Sequence, residues 1–373
     1  MLPFNKPFIV GKELFYIAEA VIKMHLSGDG KFTKKCHQLL EQKLQCNKVF
    51  LTHSCTAALE MAAILCDIKA GDEVILPSYT FVSTANAFVL RGATPVFIDI
   101  RKDTLNIDEK LIEAAITPKT KAIIPVHYAG VSCNMKAIMS IAEKYNLFVI
   151  EDAAQAILSQ TNGKYLGTIG HLGCLSFHET KNIISGEGGA LLINDKEFIQ
   201  RAEIIREKGT NRGQFFRGER NKYTWVDIGS SYLPSELVAA FLYAQLEHAE
   251  HIISIRKNLW QTYYNQFCNL ESQNYIQRPQ TLDNNGHIFY IILPNLEIRQ
   301  RLISYLKDYN IHTVFHYIPL HSSPAGQQYG RISNNMDITD KVADCLLRLP
   351  LFYKMTNKDI SFVVNKITDF FTE

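Results

Sequence analysis

The chain has 373 residues, 47% hydrophobic and 20% charged, which is enough apolar material for a large core and too much for a disordered or fibrous protein. Its 39 Lys+Arg against 37 Asp+Glu leave a formal +2, too balanced for a protein that coats nucleic acid or an anionic membrane, so neither is expected as a partner. The length suits one large α/β unit with a smaller one beside it.

From about residue 48 to 195, short β-branched runs alternate with amphipathic stretches. A strand at 48–51 precedes a helix at 56–66, a strand at 73–76 precedes a helix at 84–91, and a strand follows at 95–98. Strands at 122–126 and 147–150 flank a helix at 134–145. Nearly all-apolar strands alternating with helices predict a mainly parallel sheet covered on both faces. Ligands in such sheets sit outside the carboxyl ends of the strands, which is where chemistry is sought. Beyond 195 come a helix at 198–207, a basic, glycine-containing loop at 208–223 and a long helix at 234–267, with Pro234 in its first turn. The rest reads as a smaller α+β unit: a strand at 288–292, a helix at 297–308, a strand at 312–315 and two closing helices. The expected division is a large unit, 1–250, and a small C-terminal unit, 251–373.

The opening residues, Met1 to Pro7, lack the basic-then-apolar order of an export signal, and no uncharged apolar run could span a bilayer. The eight cysteines show no zinc-ligand spacing, so no metal site is expected and a reducing cytoplasm is the economical location.

Four segments at strand ends carry residues suited to chemistry. Thr52-His53-Ser54-Cys55-Thr56 opens a helix, where free N–H groups beside hydroxyls suit a phosphate, although the same residues equally serve as a helix cap. Glu151-Asp152-Ala153-Ala154-Gln155 follows a buried strand, where a carboxylate needs a cationic partner; a protonated pyridine nitrogen would be one, and capping the next helix is the plainer reading. Lys181 lies in a loop between two strand-like runs, after Ser176 and His178 and before Gly186, Gly188 and Gly189. A lysine there could form a Schiff base, with Ser176 reaching the same phosphate and His178 either moving protons or packing. Phe81, after the strand ending at Leu76, could stack on a planar ring or fill the core.

Taken together and in this order, these segments resemble the sugar aminotransferases of the DegT/DnrJ/EryC1/StrS family, pyridoxal-phosphate enzymes of the aspartate aminotransferase fold (fold type I). Gly71 to Ile75, Tyr79 to Ala87, Gly92 to Phe97, Pro125 to Gly130, Glu151 to Gln155, Ser176 to His178 with Lys181, Gly186 to Gly189, and His316 to His321 carry the likeness, which covers essentially the whole chain. It implies pyridoxal 5'-phosphate as cofactor, with pyridoxamine 5'-phosphate as its intermediate form. Lys181 would be the Schiff-base lysine with His178 beside it, Asp152 would meet the pyridine nitrogen, Gln155 the ring hydroxyl and Phe81 the ring face. Cys55, Thr56 and Ser176 would hold the phosphate. Two positions depart from the commoner pattern: Asn-Gly-Thr is replaced by Ser54-Cys55-Thr56, and a phosphate-contacting Asn supplied across a dimer appears as Ser231.

Arg206 to Arg212, Gln214 to Gly218 and Gly229 to Tyr232 look like the branch that makes dTDP-4-amino-4,6-dideoxy-D-galactose for enterobacterial common antigen and related cell-surface polysaccharides. That likeness implies transfer of the amino group of L-glutamate, released as 2-oxoglutarate, to dTDP-4-keto-6-deoxy-D-glucose, with Arg212, His316 and Tyr317 binding substrate and a homodimer or larger assembly. Amination of another nucleotide sugar, or a non-catalytic nucleotide-sugar-binding protein, are the alternatives; a sister activity with histidine in place of the lysine is disfavoured by Lys181.

Overall fold

The computed structural model describes residues 1–372. Two helices come first, α1 (Glu13–Ile22) and α2 (Lys31–Leu44), neither of which stands out in the sequence. The α/β part then runs β1 (Lys48–Thr52), α3 (Cys55–Leu65), β2 (Glu73–Pro77), α4 (Val82–Val89), β3 (Thr94–Ile98), β4 (Thr120–Ile123), α5 (Met135–Tyr145), β5 (Phe148–Asp152), β6 (Leu172–Ser176) and β7 (Gly189–Ile193). Strands β2 to β6 are mostly buried because both sheet faces are covered: α3 and α4 pack on one side, and on the other α5 with the 107–116 segment covers β2 to β5 while α2 and the later α7 (Glu236–Glu247) cover β1, β6 and β7.

After α6 (Phe198–Arg206) and α7 come α8 (Ala249–Gln266), β8 (Phe289–Ile292), α9 (Leu296–Asp308), β9 (Arg331–Ile332), α10 (Asp337–Cys345), β10 (Leu346–Leu349) and α11 (Asn357–Thr372). The main sheet has eight strands in the order β1-β7-β6-β5-β4-β2-β3-β9. Every neighbouring pair is parallel except those of β7, which runs antiparallel to both β1 and β6. Strands β8 and β10 form a separate antiparallel pair, and a third apolar core assembles around them from residues 259–367.

Three elements differ from the sequence reading. The single helix expected over 234–267 is two, broken at His248, whose φ/ψ of −112°/12° departs from helical geometry; the first starts at Glu236, so Pro234 lies before it and not in its first turn, and Ser235 caps it by accepting from the Val238 N–H. The expected strand 312–315 makes only one bridge, Val314 to Arg348, because β10 occupies the place beside β8. That strand went unread since it follows α10 without a turn, at Cys345–Leu346.

Candidate active site

The register of β7 sets the floor of the site. Gly189 pairs with Thr52 of β1 on one side and with Ser176 of β6 on the other, bringing three chain segments together where α3 begins. A Cβ on Gly189 would lie 2.3 Å from the Ser54 carbonyl carbon and 2.5 Å from the Cys55 nitrogen, so only glycine permits this approach. Ser54 caps α3 by accepting from the Ala57 N–H at 3.1 Å. The N–H groups of Cys55 and Thr56 lie in the unsatisfied first turn and meet no acceptor among the described residues. The Thr56 hydroxyl donates to Ser83 Oγ at 2.8 Å, and Ser176 Oγ lies 3.4 Å from the His178 N–H. This is a cradle of donors with the geometry an anionic group needs.

At the end of β5, two adjacent carboxylates point opposite ways, as strand alternation demands. Glu151 is fully buried and accepts from the N–H groups of Gly167, Ile169 and Gly170 at 2.8, 2.7 and 2.6 Å, and from His127 Nε2 at 2.8 Å. His127 Nδ1 in turn accepts from the Cys133 N–H, which leaves the ring proton on Nε2. Glu151 is therefore a structural anchor. Asp152 faces the site: Oδ2 accepts from the Thr84 hydroxyl at 2.8 Å and Oδ1 from the Ala154 N–H at 3.1 Å. Burial pushes its pKa up, against the opposing pull of Thr84, Ala154 and Lys181. A buried carboxylate so placed is stabilised by a cation.

Lys181 supplies the other half. Its ammonium is disfavoured by burial, which pulls its pKa down, while Cys55 and Asp152 lie near enough to oppose that shift. Its amine has no hydrogen bond or ion pair with the described residues. The loop carrying it is tied at both ends, Phe177 N–H to Gly188 O at 2.8 Å and Ser185 N–H to Phe177 O at 2.7 Å. His178 sits on the same loop with Nδ1 bonded to Thr180 and Nε2 3.7 Å from Glu187; its ring makes no bond to Lys181, whose backbone N–H donates to the His178 carbonyl at 2.9 Å.

Gln155 Oε1 accepts from the Ala129 N–H, and its Nε2 donates to the Tyr317 hydroxyl at 2.9 Å. Phe81 precedes α4 with 57% of its surface exposed, its ring centroid 6.5 Å from that of Tyr317. His316 Nδ1 and the Tyr128 hydroxyl are hydrogen-bonded at 3.0 Å, and burial holds the His316 pKa well below the usual imidazole value. The structure thus brings Cys55, Thr56, Asp152, Ser176 and Lys181 together, and links Phe81, Gln155, His316 and Tyr317 to one another through Tyr317 and Tyr128. It does not bring in Arg212 or Ser231. Arg212 stacks on Phe216, and Ser231 is exposed and bridged to Glu207. At the end of α6 Arg206 is paired with Asp29, and in the basic loop Arg217 is paired with Glu203 and Glu219.

Sequence reasoning passed over Thr84 as a partner for Asp152, although it stands in a segment that carried the family resemblance. It also missed Tyr79 and Tyr128, whose ring centroids lie 5.6 and 6.3 Å from that of Tyr317 and which come from separate segments with no shared local pattern.

The donor cradle at α3, the buried acid beside Thr84 and the half-buried lysine without a hydrogen bond or ion pair fit pyridoxal phosphate at its phosphate, its ring nitrogen and its aldehyde. The fold and these residues define a pyridoxal-phosphate-dependent aminotransferase of fold type I. The family model of the DegT/DnrJ/EryC1/StrS aminotransferases matches residues 9–368, and the chain belongs to that family. It is 33% identical to the spore coat polysaccharide biosynthesis protein SpsC of Bacillus subtilis, over 99% of this chain and 96% of that protein. It is 30% identical to GDP-perosamine synthase of Escherichia coli O157:H7, over 100% and 99% of the two chains. The pyridoxal-phosphate form of Spr1654 from Streptococcus pneumoniae superposes with a TM-score of 0.89 at 25% identity, over 99% of this chain and 98% of that one.

Proposed function

We propose that this enzyme moves the amino group of L-glutamate to dTDP-4-keto-6-deoxy-D-glucose, giving 2-oxoglutarate and dTDP-4-amino-4,6-dideoxy-D-galactose for a cell-surface polysaccharide. The observation that carries amino transfer is a half-buried lysine without a hydrogen bond or ion pair, Lys181, on the same site as a buried acid, Asp152, and an anion cradle. The choice of sugar is supported by the segments Arg206 to Arg212 and Gln214 to Gly218.

When bound, pyridoxal phosphate supplies the carbonyl carbon that carries nitrogen and the ring that takes up electrons. The protein's part is placement and proton handling. Cys55, Thr56 and Ser176 would hold the phosphate, Asp152 would keep a proton on the ring nitrogen, and Phe81 would cover one ring face. Lys181 Nζ, its charged form disfavoured by burial, takes the proton from the donor Cα and delivers one to the sugar carbon. Because donor and acceptor use one site in turn, ping-pong kinetics follow.

The same reading includes a homodimer. Leu14, Phe15, Ile22 and Met24 of α1 and its C-terminal edge are 67–89% exposed, and Trp225 is 78% exposed near Ser231, so a second copy would cover apolar surface and reach the site with the 206–231 segment. It also keeps the division into 1–250 and 251–373, supported by the separate core around β8 and β10. A cytoplasmic location agrees with eight free cysteines, and among the described residues no helix is long and apolar enough to cross a membrane.

A GDP-linked keto sugar is the second reading, favoured by the identity to GDP-perosamine synthase. Incubation of the holoenzyme with L-glutamate and either dTDP-4-keto-6-deoxy-D-glucose or GDP-4-keto-6-deoxy-D-mannose, with NMR of the product, separates the two. An amino sugar from the dTDP substrate with an axial 4-amine is expected; turnover of the GDP sugar alone overturns the first reading.

A further inference from the structure

Three buried polar side chains from distant parts of the chain meet at the residue that follows Lys181. Asn182, in the loop after β6, is 2% exposed, and Asn285 and His287, just ahead of β8, are 1% and 6% exposed. Asn182 Nδ2 donates to the Asn285 carbonyl at 2.9 Å, which turns its Oδ1 toward His287 Nδ1 at 3.0 Å. That ring nitrogen therefore carries the proton and donates it. Burial, reinforced by Lys181, keeps the His287 pKa well below the usual imidazole value, so the ring is neutral. The segment carrying it is anchored in turn: Arg256 of α8 donates to the carbonyls of Gly286 and His287 at 3.0 and 2.7 Å, and Trp260 Nε1 to that of Ile288 at 3.1 Å.

Asn285 joins this cluster to Gln155. Its Nδ2 donates to the carbonyls of Gln155 and Ile157, both at 3.0 Å, while its Oδ1 accepts from the His287 N–H at 3.2 Å. A Cβ on Gly130 would lie 2.1 Å from the same Oδ1, so a larger residue there would displace the Asn285 amide. The residue before it, Ala129, is the one whose N–H holds Gln155 Oε1. Gln155 is thus fixed through its carbonyl by Asn285 and through its side chain by a turn seated against Asn285. A buried network in which every group is satisfied holds the segments it joins in one arrangement. Lys181 needs such support, because its amine makes no hydrogen bond or ion pair with the described residues and the backbone at 181–182 must aim it. An error of about 1 Å in placing a reacting group costs roughly a hundredfold in rate.

We propose that Asn285 is a positioning residue for amino transfer: through Asn182 it sets the aim of Lys181, and through the Gln155 carbonyl it sets the carboxamide, so that amine and amide keep one fixed relation. This rests on the aminotransferase reading above. His287 completes the arrangement by holding Asn182 in the orientation that reaches Asn285.

The test compares wild type with Asn182→Ala and Asn285→Ala in two measurements on folded protein. One is the affinity of the cofactor-free protein for pyridoxamine 5'-phosphate, which uses the α3 cradle but forms no bond to Lys181. The other is the rate at which added pyridoxal 5'-phosphate becomes attached to Lys181, followed by absorbance. Attachment should slow by about tenfold or more in both variants, while pyridoxamine 5'-phosphate affinity stays within about threefold. With L-glutamate, the limiting rate of the first half-reaction should fall by a similar factor and the half-saturating concentration stay within about threefold. His287→Leu should slow attachment as well, and His287→Asn, which keeps an N–H in place of Nδ1, should recover most of that loss. N182A carries the test if N285A fails to fold. Variants that attach the cofactor at the wild-type rate, even with lowered melting temperatures, overturn the proposal, as does a loss of pyridoxamine 5'-phosphate affinity equal to the loss in rate. Wild-type protein that forms no bond between Lys181 and pyridoxal 5'-phosphate overturns the aminotransferase reading itself.

Discussion

The Gln155 side chain donates from Nε2 to the Tyr317 hydroxyl at 2.9 Å, tying the loop after β5 to a segment 162 residues further along the chain. With Oε1 held by the Ala129 N–H, Gln155 is fixed at both ends of its carboxamide. Tyr317→Phe removes one end of that link. We expect a loss of about 1 kcal/mol in denaturant unfolding of the cofactor-free protein and a several-fold drop in kcat. Unchanged values for both would show that the link does not position Gln155.

Asp152→Asn keeps the size of the side chain and its bond from Thr84 but removes the charge. Turnover should fall by about tenfold or more, because an amide cannot hold a proton on a pyridine nitrogen, while the melting temperature changes little. A rate equal to wild type would remove Asp152 from the mechanism.

Its neighbour should behave in the opposite way. Glu151 collects three backbone N–H groups and His127 in the buried interior, so Glu151→Ala strands four donors and should cost about 3 kcal/mol or more. Circular dichroism melts of E151A and D152N side by side check the contrast; equal destabilisation would contradict the separation of roles.

Lys181 gives a pH signature. Burial lowers its pKa below the unfolded value of 10.5, so between the folded value and 10.5 the unfolded chain binds the extra proton, and stability rises with pH through that window. Below the window the penalty of burying the ammonium is present in full. Lys181→Met should abolish turnover, and in cofactor-free form should be more stable than wild type at pH 7, a gain that shrinks toward pH 10.5. Melting temperatures measured from pH 6 to 10 test this; a gap independent of pH would mean the amine is not destabilised by burial.

Gly189→Ala probes the cradle floor. The added methyl meets the Ser54–Cys55 peptide, so α3 must shift, and affinity for pyridoxal phosphate should drop at least tenfold in a spectroscopic titration. Retained affinity would show that α3 does not hold the phosphate.

The α/β core was legible because β2 to β5 are short, mostly buried runs with helices between them, a pattern that follows from burial on both faces. Helix α1 was not, since Leu14, Phe15, Val21 and Ile22 are apolar yet exposed, which erases the one-sided stripe a buried helix shows. At the site, Lys181, Asp152 and Ser176 were readable because each follows or ends an apolar strand. Tyr317 was harder to place by role: its bond to Gln155 and its ring neighbours Tyr79 and Tyr128 come from remote parts of the chain, so no local pattern announces them.

Since Ser176 and Gly189 are ladder partners, the nucleophile-bearing loop 177–188 springs from two adjacent footings clamped in the sheet. Changes within the loop therefore alter reach and proton traffic while the scaffold beneath stays put. One framework could in this way host several chemistries by editing a single short span, and swapping that span between relatives is the direct route to new reactions on this protein.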